Sequence, residues 1–201
     1  MTRLLLWRHG RTEWNATNRV QGQADVDLDG LGQIQAELSA PFLAARKPIL
    51  IVASDLRRAV RTAAVLAELT GLEVEQDERL RERDYGPWQG LTRDEIRQRY
   101  PDDFQRWGTA VPIANPAIES LDDLAKRMVA VLRDVADRVG DATAVLVTHG
   151  GSARVGTAAL LGWPVESWHT LSVLSNCHVC EVRQDERGWQ LRAHNVAADL
   201  G

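Results

Sequence analysis

Cysteine is scarce in this chain, and so are long apolar runs and any excess of positive charge. Two of the 201 residues are cysteines, too few for a disulfide-stapled secreted scaffold, so a reducing, cytoplasmic setting is expected. No segment approaches the ~20 apolar residues of a membrane span, and the first motif begins too early for a signal peptide. The net charge of -4 argues against a general binder of nucleic acids or membrane surfaces.

Apolar residues are plentiful, by contrast, and many are concentrated in three short runs. They make up 44% of the sequence, enough for the core of a single domain over residues 1–201. The runs at 4–7, 49–53 and 144–148 have the length of buried strands, and each is followed by a helical pattern. This alternation predicts a three-layer α/β/α sandwich with a mostly parallel central sheet.

Helical spacing and capping residues place further elements. After the first strand, four apolar residues recur at offsets of three and four, and we expect them to form the inner face of a helix: Leu31, Ile34, Leu38 and Phe42. Pro41 lies inside this pattern and is expected to kink or divide the helix. Ser54 or Asp55 is expected to cap the helix that comes after the second strand. A long helix is predicted over 121–139, and a hairpin of two strands within 178–194.

Each apolar run ends at, or shortly before, cationic or imidazole side chains. These are Arg8 and His9 after the first run, Arg57 and Arg58 after the second, and His149 after the third. The carboxyl ends of parallel strands meet at one edge of a sheet, where open α/β sheets bind ligands. We therefore expect Arg8, His9, Arg58 and His149 to converge there, whereas Arg57 is expected to be a solvated arginine.

Such a cluster suits phosphate chemistry. Guanidinium groups match the geometry of phosphate oxygens and keep their charge, and a neutral histidine can attack phosphorus to form a covalent intermediate. Phosphoryl transfer depends mainly on positioning and charge stabilisation. No Gly-rich loop ends in Gly-Lys-Ser/Thr, and no Gly-x-Gly-x-x-Gly follows a strand, so the fingerprints of nucleotide sites are missing.

A zinc site at Cys177 and Cys180 is the main alternative chemistry, and the residues do not favour it. A single Cys-x-x-Cys needs more ligands, and on a strand these two side chains point to opposite faces. His169 and His194 have no motif around them and are expected to be structural. No metal and no cofactor is predicted.

Four motifs in order resemble those of the histidine phosphatase superfamily, in the branch that also holds the cofactor-dependent phosphoglycerate mutases. The opening segment Arg8-His9-Gly10-x-Thr12-x-Trp14-Asn15 resembles the family's first signature. Residues 54–63 (SDLRRAVRTA) are similar to its second signature, and 148–151 (THGG) to its last. The loop from Leu80-x-Glu82 to Gly90, followed by Glu119-Ser120, matches as well.

This resemblance implies a role for each matching residue. His9 would be the nucleophile that becomes phosphohistidine, and Arg8, Arg58 and His149 would hold the phosphoryl oxygens. Glu82 would protonate the leaving alcohol and then activate water; the competing interpretation of Glu82 is a salt bridge to Arg81 or Arg83. The remaining phosphate-binding residues that the resemblance implies are Asn15, Gln21, Gly22 and Gly150. For His9 we expect one ring nitrogen to donate to a backbone carbonyl, which would fix the tautomer.

The resemblance favours a phosphatase acting on a small phosphorylated metabolite of the sugar phosphate or phosphoglycerate type. A 2,3-bisphosphoglycerate-dependent phosphoglycerate mutase is the alternative, because Glu82-Arg83-x-Tyr85-Gly86 is similar to the mutases. A non-catalytic phospholigand-binding protein is a third interpretation, which the presence of both His9 and Glu82 disfavours. Residues 21–25 and 50–59 resemble the glucosyl-3-phosphoglycerate phosphatases within the superfamily.

Substrate choice is expected to lie in a variable region over the active site, residues 80–120. The side chains expected to contact the leaving group are Trp14, Arg83, Trp88, Trp107 and Glu119. The predicted partner is a small phosphomonoester, with neither nucleic acid nor membrane, and an unpaired edge strand leaves a homodimer open.

Overall fold

The computed structural model describes residues 1–197. Its strands are β1 (Thr2–Arg8), β2 (Leu50–Ala53), β3 (Val74–Gln76), β4 (Thr143–Thr148), β5 (His178–Asp185) and β6 (Gly188–Ala197). Its helices are α1 (Glu13–Ala16), α2 (Gly30–Ala44), α3 (Arg57–Thr70), α4 (Arg93–Arg99), α5 (Pro101–Arg106), α6 (Leu121–Val139) and α7 (Gly150–Leu160). Short 3₁₀ turns cover Glu78–Leu80, Gly86–Trp88 and Val165–Thr170. None of the helices within 1–197 has the length and apolar character to cross a membrane.

The strands form one six-stranded sheet in the order β3-β2-β4-β1-β5-β6. The first four in that order pair in parallel, whereas β5 and β6 run antiparallel to their neighbours. In the register, Arg8 lies opposite Thr148 and Ala53 opposite Val147. The residues that come next in the chain, His9, Ser54 and His149, therefore leave the sheet side by side.

Alternating side chains of the strands divide between two apolar layers. Leu4 and Leu6 of β1 pack in the cluster that contains the buried side of α6, and Leu5 and Trp7 pack in the cluster that contains α2 and α3. The fold is therefore the expected α/β/α sandwich with a mostly parallel sheet. Cys177 and Cys180 belong to different clusters, so they lie on opposite faces of the sheet.

Helix α2 corrects the sequence prediction about its buried face. Leu31, Ile34 and Leu38 are exposed, and the buried positions are Gly32, Ala36, Ser39, Ala40 and Leu43. Small residues face the core because α2 passes very close to the loop that follows β1: a Cβ added to Gly10 would lie 2.2 Å from the carbonyl oxygen of Gly32. Pro41 does not divide the helix, which runs unbroken to Ala44.

The predicted cap of α3 is also wrong. The residue at the N-cap is Leu56, which makes no side-chain cap hydrogen bond. Ser54 instead contacts His149, and Asp55 forms an ion pair with Arg81. The hydroxyl and carboxylate that resembled helix caps are therefore used to position groups at the rim of the sheet.

Residues 80–120 contain a small apolar cluster of their own. Its buried members are Trp88, Ile96 and Ile118, against which Tyr85, Tyr100, Phe104 and Trp107 pack. Helices α4 and α5 are short, seven and six residues, and isolated helices of this length are unstable in water. Packing of aromatic rings around Trp88 is therefore what orders this region.

Candidate active site

His9 comes directly after β1, and its surroundings fix both its orientation and its tautomer. The side chain is 3% exposed. Nδ1 lies 2.7 Å from the carbonyl oxygen of Gly10, and because a carbonyl only accepts, Nδ1 carries the proton. The Gly10 N–H donates to Thr62 Oγ1 of α3 at 3.1 Å, which fastens this turn. Nε2 is left with its lone pair, the condition for a nucleophile.

His149 stands beside His9 at the end of β4. The two ring centroids are 5.1 Å apart. Nδ1 of His149 accepts from Arg58 Nε at 3.3 Å, and Nε2 lies 2.9 Å from Ser54 Oγ. Because the guanidinium only donates, Nε2 carries the proton in this arrangement. Segments from three distant parts of the chain thus meet where the strand order predicts.

Two arginines, Arg58 buried and Arg8 partly buried, supply positive charge to the same place. Arg58 is fully buried, and its guanidinium donates to the carbonyl oxygens of Gly22 and Ala24, each at 2.7 Å. Arg8 donates to the carbonyl oxygen of Leu174. Burial lowers the pKa of Arg58 to about 10, so the group stays charged at neutral pH.

Burial, reinforced by the nearby arginines, keeps both imidazoles neutral. Burial is the main reason why the pKa of His9 lies well below 6.5, and Arg58 and then Arg8 lower it further. The pKa of His149 is lowered in the same way, first by burial and then by Arg58. His9 therefore keeps the unprotonated Nε2 that attack on phosphorus requires, even in mildly acidic solution.

Glu82 is held at the amino-terminal end of α7. Its Oε1 accepts from the backbone N–H groups of Arg83 and Ser152, both at 2.9 Å, and from Ser152 Oγ at 3.0 Å. Its Oε2 accepts from Gly151 N–H at 2.9 Å. Within residues 1–197 Glu82 forms no ion pair; Arg81 pairs with Asp55 instead, and the Arg83 side chain donates to the Glu119 carbonyl oxygen. The salt-bridge interpretation of Glu82 is therefore wrong.

The residues predicted to line the phosphate pocket surround this centre, although in different ways. Gln21 is buried with its Oε1 unpartnered, and Gly22 contributes its carbonyl to Arg58. A Cβ on Gly150 would lie 3.4 Å from Arg8 Cζ. Asn15 Oδ1 accepts from Thr12 N–H and Oγ1, each at 3.2 Å, so its oxygen acts as part of a helix cap.

The prediction from sequence missed Asn176. Its Nδ2 donates to the His9 carbonyl oxygen at 3.0 Å and to Asn15 Oδ1 at 3.3 Å. It thereby ties the His9 peptide to the capping box of α1. No local pattern distinguishes this asparagine from an ordinary turn residue, since it reaches the site from just before β5, far along the chain.

Arg127 was also missed, although a signal for it exists. It lies three residues after the buried Leu124, on the inner face of α6, where a cation needs buried partners. Its guanidinium binds the Glu119 carboxylate at 2.6 and 2.8 Å and the carbonyl oxygens of Arg79, Arg81 and Glu82. Arg127 therefore fixes the segment that carries Glu82.

Of the five side chains expected to contact the leaving group, three line two cavities, and Trp14 and Trp88 line neither. Arg83 and Trp107 line a cavity beside Gly151, and Glu119 lines an adjoining one. Trp88 is fully buried among the residues of its apolar cluster. Trp14 contacts Gly90, whose added Cβ would lie 3.3 Å from the indole. The Glu119 carboxylate itself is occupied by Arg127, so its contribution is structural.

Two of the described side chains that have unsatisfied buried polar atoms lie at this site. Of the described side chains, those with a buried unpartnered nitrogen or oxygen are Arg8, Gln21, Trp88, Arg154 and His194. Buried polar atoms normally have partners, so Arg8 and Gln21 mark the place where a polar ligand is expected. Two neutral imidazoles, two arginines and an oriented carboxyl can together bind and transfer a phosphoryl group.

Comparisons with known proteins agree with this chemistry. The family model described as "Histidine phosphatase superfamily (branch 1)" matches residues 4–197. A glucosyl-3-phosphoglycerate phosphatase of Mycolicibacterium vanbaalenii is 42% identical over 216 residues, covering 98% of this chain and 96% of the relative. Phosphoserine phosphatase 1 of Hydrogenobacter thermophilus is 33% identical over 202 residues, covering 100% and 95%. A solved mycobacterial glucosyl-3-phosphoglycerate phosphatase with VO3 is similar in structure, with a TM-score of 0.90, 39% identity and coverage of 96% and 98%.

Proposed function

The chain belongs to branch 1 of the histidine phosphatase superfamily and is a phosphoric monoester hydrolase, and we propose that it works through a phosphohistidine on His9. The observation that carries this proposal is the position of His9: its Nδ1 donates to the Gly10 carbonyl oxygen, and its ring lies 5.1 Å from that of His149. A neutral nucleophile beside buried cations is what transfer of an anionic group requires.

The proposed reaction has two balanced steps. In the first, Nε2 of His9 forms a bond to phosphorus while the ester P–O bond breaks, and Glu82 gives its proton to the leaving oxygen. In the second, Glu82 takes a proton from water as the water oxygen bonds to phosphorus and the P–N bond breaks. The products are an alcohol and inorganic phosphate, and Glu82 and His9 return to their starting forms.

The other residues bind the phosphoryl group in this proposal. Arg8 and Arg58 neutralise its charge. His149 supplies a further donor when the proton of its ring lies on Nδ1, and the Ser54 hydroxyl then donates to Nε2 instead of accepting from it. Asn15, Gln21, Gly22 and Gly150 are proposed to complete the pocket. Residues 80–120 are proposed to form the variable part above it within a single domain.

The proposed substrate is a phosphorylated metabolite of the sugar or glycerate type. The name of the 42% identical relative supports this, and the 440 Å³ cavity near Arg83 offers room for the leaving group. A phosphoglycerate mutase is the alternative, and the phosphatase is preferred because the relative with 42% identity is a glucosyl-3-phosphoglycerate phosphatase. Phosphate release should be measured on glucosyl-3-phosphoglycerate, 3-phosphoglycerate, phosphoserine and glycerol 3-phosphate, beside mutase turnover with 2,3-bisphosphoglycerate. Rapid isomerisation without phosphate release would overturn the proposal.

We propose further that the protein is a cytoplasmic homodimer. Cys177 and Cys180 are both free thiols, which suits a reducing compartment. Strand β6 is a long edge of the sheet, and such an edge can pair with a second copy. Light scattering after size exclusion tests the dimer, and a monomeric mass at micromolar concentration would contradict it.

A further inference from the structure

Ser152 supplies two of the hydrogen bonds that hold Glu82 at the start of α7. Its backbone N–H and its hydroxyl both reach Oε1 of the carboxyl group, at 2.9 and 3.0 Å. Ser152 is fully buried, and a buried hydroxyl needs a partner within the protein. The reaction proposed above does not use this residue, so its contacts with Glu82 need an explanation.

Helix α7 has no side-chain cap of its own. Its N-cap is His149, whose side chain makes no cap hydrogen bond. The N–H groups of Gly151 and Ser152 in the first turn donate to Glu82 instead, both at 2.9 Å. The carboxyl group of a distant loop therefore takes the place of the cap, and the start of the helix fixes both of its oxygens.

The two oxygens of Glu82 have different surroundings. Oε1 accepts from the N–H groups of Arg83 and Ser152 and from the Ser152 hydroxyl. Within residues 1–197, Oε2 accepts only from the Gly151 N–H. A carboxylate oxygen has two lone pairs, so Oε1 has none left for a proton, whereas Oε2 keeps one. The proton that Glu82 transfers therefore belongs on Oε2.

The Ser152 hydroxyl has a second acceptor close by. Its Oγ lies 2.8 Å from the Arg81 carbonyl oxygen as well as 3.0 Å from Oε1, and a hydroxyl donates one proton at a time. The Arg81 carbonyl has another donor, Arg127 at 2.6 Å, and does not depend on Ser152. The hydroxyl is therefore available to Oε1, and its bond becomes charge-assisted once Glu82 has given up its proton.

We propose that Ser152 is a positioning residue for the proton transfer: it binds Oε1 and so leaves Oε2 as the oxygen that serves the reaction. In the first step, the proton moves from Oε2 to the ester oxygen as the P–O bond breaks and the bond from His9 Nε2 to phosphorus forms. In the second step, Oε2 takes a proton from the attacking water as the P–N bond breaks. The proposal rests on the proposed function and extends it by one residue and by the oxygen that carries the proton.

Replacement of Ser152 should affect esters according to their leaving group. Ser152→Ala keeps the N–H and removes the hydroxyl, so kcat for glycerol 3-phosphate should fall about tenfold while KM stays within about twofold. With enzyme in excess over p-nitrophenyl phosphate, whose leaving oxygen needs no proton, nitrophenol should appear at the wild-type rate within about twofold. This single turnover reports only the first step. A loss of phosphate binding or of the fold would slow both esters.

Two controls test whether the effect is specific to Ser152. Thr157→Val removes a buried hydroxyl of the same helix, which lies 3.5 Å from Cys180 Sγ, and Arg133→Met removes an exposed arginine of α6. Neither should change the rate with either ester, and melting temperatures report whether each variant folds. An equal loss with both esters, or unchanged turnover of glycerol 3-phosphate by Ser152→Ala, would overturn the role of Ser152.

A crystal structure of the wild type with vanadate tests the assignment of the two oxygens without any variant. Vanadium should bond to His9 Nε2, and the vanadate oxygen opposite that bond should lie about 3 Å from Oε2. Oε1 should keep its contacts with Ser152. A vanadate oxygen bound by Oε1 in that position would overturn the proposal. Vanadium bonded to a residue other than His9 would instead overturn the proposed function.

Discussion

The phosphate end of the candidate site (Arg8, His9, Ser54, Arg58 and His149) and its leaving-group end (Arg83, Tyr85, Trp107 and Arg154) are held by different means. The phosphate end lies at the carboxyl ends of three neighbouring strands whose register is fixed over their whole length. The leaving-group end combines α7 with loops and short helices ordered around Trp88.

This difference separates two requirements of one enzyme. Transfer of a phosphoryl group needs donors fixed within a fraction of an ångström, which a rigid sheet rim supplies. Recognition of one alcohol among many needs a surface that can vary without disturbing the rim. Changes at the phosphate end should therefore affect all substrates alike, and changes at the leaving-group end should depend on the substrate.

Removal of the nucleophile should have the largest effect. His9→Ala should lower kcat about 10⁴-fold or more for every ester, because no other group within the described site replaces a covalent nucleophile. Phosphate release by the purified variant measures this, with Arg133→Met as the control. Activity of His9→Ala close to that of wild type would show that another residue attacks phosphorus.

Glu82 lies where the two ends meet, and its replacement should distinguish two kinds of leaving group. For alkyl phosphates, Glu82→Gln should lower kcat by about 10² to 10³-fold, since an alkoxide leaves poorly without a proton. p-Nitrophenyl phosphate needs no such proton, so it should give a rapid burst of nitrophenol followed by slow turnover. Stopped-flow absorbance resolves the burst, and equal losses with both esters would contradict the acid role.

Replacement of Ser54 tests whether a change at the phosphate end affects all substrates alike. Ser54→Ala removes the partner of His149 Nε2 and should lower kcat/KM about tenfold, because one buried hydrogen bond is lost. The factor should be the same for every ester. Ser39→Ala, a buried serine that bonds carbonyl oxygens within α2, is the matched control. A loss confined to one substrate would place Ser54 with the leaving-group end.

The smallest effect concerns stability against pH. His9 and His149 have folded-state pKa values below 6.5, so the unfolded state takes up more protons below that pH. The free energy of unfolding should be unaffected by these groups above pH 6.5 and should fall as pH drops further, by up to about 1.4 kcal/mol per unit for each imidazole. Urea titrations of wild type and His9→Asn from pH 7 to 5 measure the slope, which the replacement should reduce. An unchanged slope would contradict the burial of a neutral His9.

Sequence patterns predicted that Arg58, His9 and His149 lie together, because short apolar runs identify parallel strands, and the carboxyl ends of such strands bring their neighbouring residues to one rim. These patterns failed at positions whose structure is determined by contacts between residues far apart in the sequence. The exposed Leu31 and Leu38 matched a helical stripe, but the close approach of Gly10 and Gly32 selects small residues instead. Ser54 resembled a helix cap because it comes shortly before a helix. Its partner, His149, lies far away in the sequence, so no local pattern identifies it. Asn176 reaches His9 only through the tertiary fold.

The central claim is that the rim of the sheet presents His9 as the group that carries the phosphoryl intermediate. Glu82→Gln mixed with p-nitrophenyl phosphate should accumulate that intermediate, since its formation needs no proton and its hydrolysis lacks a base. Quenching in alkali, where phosphohistidine survives, followed by peptide mass spectrometry should find one phosphoryl group on His9. A phosphoryl group on another residue, or a nitrophenol burst without any phosphorylated peptide, would contradict this claim.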